Sequence, residues 1–214
     1  MRKLVLVALV FGLFYSGLAF GAPFTNGSFE SPGGSNTRFY LSSAGDNHVT
    51  GWYNLGGFQI YETQAGDGIT PKDGSWYISW GHNGNTGGTL SQTFDTVAGT
   101  TYAVNYFLRT QQGADPVDPE GMKVQAFNGK TVLGEASLLD FTYVTWTVGP
   151  ELTFTAASTS TTLIFTDITN GGGSANWGLD AVTVNASAVP LPSALLLLGP
   201  GLVGIAGIKR RFKR

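Results

Sequence analysis

The chain has 214 residues, no cysteine and a formal net charge of −2. The charge is unevenly placed: two of the 12 basic residues are Arg2 and Lys3, five lie in the last six positions, and the stretch between holds five Lys or Arg against all 14 Asp and Glu, a net charge of −9. That excess argues against nucleic acid as a partner, because phosphates need a basic face. Without cysteine, the folded part must stand on a buried core with no disulfide.

Arg2 and Lys3 precede an almost wholly apolar run from Leu4 to Leu18, and Ala19-Phe20-Gly21 puts small residues where a signal peptidase reads. Residues 1–21 are therefore expected to be a signal peptide, cut before Ala22.

From there the apolar period is two. Trp76, Ile78 and Trp80 alternate with Tyr77 and Ser79, Leu90, Gln92 and Phe94 with Ser91 and Thr93, and Tyr102, Val104, Tyr106 and Leu108 with Ala103, Asn105 and Phe107. Val124 and Ala126 lead to Asn128-Gly129, a hairpin turn signal, and then to Thr131–Leu133. Leu152–Phe154, Leu163–Phe165 and Ala181–Val184 complete the series. Loops are expected at Gly81–Gly88, Ala156–Thr162 and Asn170–Gly173, which are rich in Gly, Ser or Thr. No part of this region has a helical period of useful length. Many short strands at regular spacing predict an all-β fold over residues 22–186, an antiparallel jelly-roll β-sandwich.

The chain ends with Val189-Pro190-Leu191-Pro192, an apolar run from Ser193 to Ile208, and the basic residues Lys209, Arg210, Arg211, Lys213 and Arg214. The prolines separate the tail from the domain. The 16 apolar residues would make a helix of about 24 Å, short against a hydrocarbon core of about 30 Å. Pro200 and the glycines weaken that helix further. The terminal cations should remain cytoplasmic as a membrane stop. Residues 187–214 thus read as a sorting or anchor segment that holds the protein temporarily.

Taken together, the two ends resemble the PEP-CTERM sorting system of Gram-negative bacteria, in which a signal peptide is paired with a Pro-Glu-Pro-like motif, a hydrophobic helix and a basic cluster. Leu191 stands where that motif has its central Glu. The resemblance implies an exosortase-type processing enzyme as a partner, transient anchoring in the inner membrane, and a final place in the cell envelope or outside the cell, in association with exopolysaccharide.

The middle of the chain has a second resemblance. Asn26-Gly27-Ser28-Phe29-Glu30 opens it, followed by Gly51-Trp52, Asp73–Tyr77, Leu90–Phe94 and Ala98–Tyr102, and Leu179–Val184 closes it. This order is similar to the galactose-binding-like jelly rolls, which include many carbohydrate-binding modules. Ala181 stands where the usual closing Asp-Asn pair has Asn. The resemblance implies that Glu30 and Asp180 share a structural Ca2+ ion, for which two carboxylates supply the hard oxygen ligands that calcium takes. Asp115, Asp118 and Glu120 match no metal-loop spacing and are expected in a solvated loop.

Sugar rings stack on flat apolar faces while polar side chains orient their hydroxyls. Trp76 and Trp80 share the apolar face of their strand with Ile78, so core packing is expected for them. Tyr53, Tyr77, Phe107 and Tyr143 fall on opposite faces or in loops and are the surface candidates, with His82, Asn83 and Asn85 as a polar rim. Catalysis is poorly supported: there are two histidines, His48 and His82, and neither a nucleophile elbow, a metal-binding His pair nor a phosphate loop. Three readings follow. The first is a non-catalytic envelope or matrix protein that binds exopolysaccharide. The second is a structural or adhesive domain without a defined sugar ligand. The third is a small glycan-active enzyme, which would need two carboxyl groups about 5–10 Å apart in a groove.

Overall fold

The computed structural model describes residues 22–32, 38–63, 68–81, 86–110, 120–170 and 176–187. The expected signal peptide, the tail from Val189 to Arg214, and His82, Asn83, Asn85, Asp115 and Asp118 lie outside the described residues. Among the described residues all regular structure is β, and no helix is long and apolar enough to cross a membrane.

The strands are β1 (Arg38–Leu41), β2 (Tyr53–Gly56), β3 (Gln59–Thr63), β4 (Trp76–Trp80), β5 (Thr89–Asp95), β6 (Thr101–Thr110), β7 (Glu120–Asn128), β8 (Thr131–Phe141), β9 (Thr147–Val148), β10 (Leu152–Thr155), β11 (Ser160–Asp167) and β12 (Trp177–Ala186). They form two antiparallel sheets. One runs β1-β3-β4-β12-β6-β10, with β9 also on β6, and the other runs β2-β5-β11-β7-β8. The chain changes sheet from β1 to β2, β2 to β3, β4 to β5, β5 to β6, β6 to β7, β8 to β9, β10 to β11 and β11 to β12, so side chains from both layers meet in one shared core.

The expected period is realised in that core. Tyr61, Ile78, Leu179 and Leu108 are successive cross-strand partners on the inner face of the larger sheet. Leu90, Phe94, Val124, Ala126, Leu163 and Phe165 face them from the smaller sheet, and all ten are buried. At one end Trp80 stacks on Trp177, with ring centroids 4.4 Å apart and planes 15° from parallel, and the edge of Phe141 meets Trp177 at 5.9 Å.

Several boundaries differ from the sequence reading. The Ser/Thr-rich stretch 156–162 gives its second half to β11, because β-branched Thr161 and Thr162 fit a pleated strand and the Thr161 hydroxyl, turned inward, bonds Thr96 Oγ1 at 3.0 Å. The hairpin turn is one residue further on than expected. Its central residues are Gly129 and Lys130, and Gly129 takes φ +58° at the first of them. Strands β1, β2, β3 and β9 carry little alternation and were not anticipated.

Candidate functional site

Glu30 and Asp180, from the two ends of the domain, close on one turn. Ser75 and Trp76 each donate a backbone N–H to Glu30 Oε1 at 2.8 Å. Lys72 and Asp73 donate theirs to Asp180 Oδ2 at 2.8 and 3.0 Å, and Ala181 N–H reaches Asp180 Oδ1 at 2.6 Å. The Ser28 hydroxyl adds a 2.6 Å bond to Asp73 Oδ2. Gly74 sits between the two carboxylates with φ +66°, and a Cβ there would lie 2.2 Å from Glu30 Cδ. The opening segment is anchored beneath. Phe29 is buried, Tyr61 Oη donates to its carbonyl at 2.7 Å, and Val182 N–H donates to Gly27 O at 2.9 Å.

The sequence thus brings Glu30 and Asp180 to one turn, where Glu30 Oε1 and both Asp180 oxygens accept backbone N–H groups and the Asp73 carboxylate lies close to Asp180. Five amide dipoles thus offset part of the charge of the two carboxylates. Burial is the main influence on Asp180 and pushes its carboxyl up to about 7, against the N–H bonds from Asp73, Ala181 and Lys72, which favour the charged form.

The aromatic candidates do not converge. Tyr53 is 49 % exposed on the outer face of the smaller sheet. Tyr77, expected at the surface, is fully buried. It points away from the core, but Trp146 covers it edge-on at 5.7 Å, and that indole is pinned by Nε1–H donation to Thr70 O at 2.8 Å. Phe107, on the outer face of the larger sheet, is half-buried with the Lys72 ammonium 4.3 Å from its ring centroid. Tyr143 is half-buried beside the Phe141 ring, and its carbonyl accepts Thr110 N–H. These three are a covered ring, a capped ring and a packed edge, so Tyr53 alone remains an open platform.

Around Tyr53 the register builds an ordered face. Tyr53, Ser91, Ile164, Gln125 and Glu135 are successive partners across all five strands of the smaller sheet. Thr93, Thr162, Phe127 and Val132 form the next row, and Thr89, Thr166, Lys123 and Ser137 the row on the other side. Tyr53 and Phe127 are three strand spacings apart, about 14 Å, and one row apart, about 7 Å. Thr93 and Thr162 share a 2.8 Å hydroxyl bond, and the Gln125 amide donates to Glu135. Apolar platforms thus alternate with hydroxyls, an amide, an ammonium and a carboxylate on one side of a sheet whose other side is core. Phe127 and Gln125 were legible in the sequence as the positions alternating with Val124 and Ala126. Their assembly with Tyr53 was not, because it depends on which strands are neighbours.

A second carboxylate pair was missed altogether. Glu120, expected in a solvated loop, is fully buried as the first residue of β7, and Asp167 ends β11 at 2 % exposure. The Thr169 hydroxyl touches both, at 2.6 Å from Asp167 Oδ1 and 3.3 Å from Glu120 Oε2. The two carboxyl groups are close and both are buried.

Residues 22–185 match the family described as "Protein of unknown function (DUF642)". The chain belongs to this family. The DUF642 region begins at the expected cleavage point and takes in all twelve strands except the last residue of β12. Halomucin from Haloquadratum walsbyi is 28% identical over 176 residues, covering 79% of this chain but only 2% of Halomucin's length. Among solved structures, a cyclase from Fischerella sp. TAU matches this DUF642 chain with a TM-score of 0.56 at 15% identity, over 79% of this chain and 98% of the cyclase. TmCBM61, solved in complex with beta-1,4-galactotriose, matches with a TM-score of 0.48 at 12% identity, over 78% of this chain and 99% of its own. At such identities the likeness to the cyclase is one of fold alone.

Proposed function

We propose that this DUF642 protein is exported and acts without catalysis, as an envelope or matrix component that holds polysaccharide on the outer face of its five-stranded sheet. The observation that carries the reading is the run Tyr53–Ser91–Ile164–Gln125–Glu135 beside Thr93–Thr162–Phe127–Val132. A chain of sugar rings needs flat apolar surface for its C–H faces and donors and acceptors at short intervals for its hydroxyls, and these two rows supply both. The −9 charge between the two ends of the chain favours a neutral or basic glycan over an acidic one. Export and sorting rest on the order of the segments: an apolar leader, the β domain, Val189-Pro190-Leu191-Pro192, an apolar run and a basic stop. An exosortase-type enzyme would act on that tail at the inner membrane.

A glycan array with the purified protein tests the binding reading. The expected result is retention of a neutral polysaccharide by the wild type and its loss in Tyr53→Ala and Phe127→Ala. Absence of any glycan signal would leave the second reading, a structural or adhesive domain, and a signal that both variants keep would move the binding face elsewhere.

A further inference from the structure

The chain enters and leaves the domain at one end of the sandwich. Ala22 O accepts the N–H of Asp95, the last residue of β5, at 2.9 Å, and Ser187 N–H donates to the carbonyl of Thr101, the first residue of β6, at 2.8 Å. The loop between those two strands is knitted to the loop between β10 and β11. Thr96 N–H reaches Thr159 O at 3.1 Å, Gly99 N–H reaches Ala156 O at 2.8 Å, and the Thr96 hydroxyl donates to Ser158 O at 3.0 Å. The Ser158 hydroxyl lies 3.2 Å from Asn128 Oδ1, beside the β7–β8 hairpin turn. Both ends of the domain, two loops and one turn thus make up a single end face.

This end differs from the rest of the domain in charge. Residues 22–23, 95–100, 128–130, 156–160 and 186–187 hold one acidic residue, Asp95, and one basic residue, Lys130, and so are neutral. The whole −9 between the two ends of the chain is carried by the other segments. Val97 is 57 % exposed in its loop, and Ala98, Ala157 and Lys130 are exposed as well. From Ser187 to Ser193, where the apolar run begins, the chain can span at most about 22 Å. β6 alone, from Thr101 to Thr110, is about 30 Å long. A tether shorter than the body keeps the near end close to whatever holds the apolar run. Anionic headgroups repel an acidic flank within a Debye length and attract a lysine, so repulsion is least with the domain upright on its neutral end.

We infer that this end face is a membrane-docking surface, which meets an anionic lipid headgroup layer while the tail is held. The inference rests on the reading of residues 189–214 as a membrane segment. The strands then stand along the membrane normal. The two rows from Tyr53 to Glu135 and from Thr93 to Val132 run across the strands, so they lie parallel to the membrane. The first of them crosses β11 at Ile164, four residues or about 13 Å from Ser160 at the end face. A polysaccharide seated on these rows would be held flat along the cell surface.

The chain has no cysteine, so one introduced thiol carries a fluorophore at one known position of the whole protein. Val97→Cys reports from the end face. Leu55→Cys in β2 and Val148→Cys in β9 report from the flanks of the two sheets, where both side chains are exposed. Leu55 is next to Gly56, which pairs with Thr89, and Val148 pairs with Phe107, the residue that also pairs with Asp180 of the Glu30–Asp180 clasp. Thr89 and Phe107 are each six residues, about 20 Å, from the end face along β5 and β6. In liposomes of phosphatidylcholine and phosphatidylglycerol with nitroxide-labelled headgroups, emission at position 97 is expected to be quenched several-fold more than at 55 or 148. Equal or stronger quenching at either flank, in protein that floats with the liposomes, overturns the inference and leaves the tail reading in place. Protein that fails to float with them overturns the tail reading, and the inference falls with it.

Discussion

Glu30 and Asp180 hold opposite halves of a single turn: Glu30 Oε1 takes the amides of Ser75 and Trp76, and Asp180 Oδ2 those of Lys72 and Asp73. The first and last motifs of the domain are thereby joined through the lead-in to β4. The turn accepts both carboxylates because Gly74 at its centre has no side chain. Gly74→Ala should destabilise the domain by about 1–3 kcal/mol from the φ +66° backbone alone, with the clash against Glu30 adding to it. Urea unfolding reads this, and an unchanged midpoint would show that the turn relaxes freely.

The position of Asp180 sets a pH dependence. Its carboxyl is raised from 3.8 to about 7, chiefly by burial, so the folded state prefers it neutral. A raised pKa contributes stability that is complete below the unfolded value and is lost as pH rises through the folded one. Stability should therefore fall between about pH 4 and pH 7, by an amount on the order of 4 kcal/mol for this group. Asp180→Asn should flatten that part of the profile. Equilibrium unfolding of both proteins at pH 5 and pH 8 measures it, and parallel profiles would sink the assignment.

Ala181 occupies the left-handed region at φ +51°, where the register of β12 against β6 shifts. A residue with a Cβ pays for that conformation, and Asn tolerates it better than Ala does. Ala181→Asn is expected to stabilise the domain by about 0.5–1 kcal/mol. A lower unfolding midpoint in this variant would mean that the amide finds no room beside the clasp.

On the outer sheet face, Tyr53→Ala and Phe127→Ala should leave the Tm nearly unchanged, since neither ring is among the buried core residues. Each should weaken polysaccharide binding about tenfold, the effect of removing an aromatic anchor. Affinity electrophoresis against the glycan identified by the array separates the two quantities. Equal mobility of variants and wild type would move the binding face elsewhere.

Deleting residues 189–214 should change where the protein ends up, releasing it from the membrane fraction, because the apolar run and the basic stop are removed together. Fractionation of cells expressing the truncated and whole chains measures this. Identical distributions would remove the tail from any sorting role.

The amino-acid sequence by itself determined the class of the fold. Alternation in Trp76–Trp80, Leu90–Phe94, Tyr102–Leu108 and Leu163–Phe165 survives in any arrangement of neighbours, because successive side chains of a strand point to opposite faces. Its resemblance to the galactose-binding-like jelly rolls also pointed to the two carboxylates that end on one turn. What faces those carboxylates was decided by the tertiary structure: the backbone amides of residues 72–76 turn toward both Glu30 and Asp180. Tertiary contacts likewise decided that Tyr77 is covered, because Trp146 arrives from a distant loop, and that Glu120 is buried beside Asp167, because β7 and β11 are neighbours in the sheet. The binding face depends on the same fact. Tyr53, Ile164 and Phe127 lie far apart along the chain, and only antiparallel pairing through β5, β11 and β7 sets them side by side.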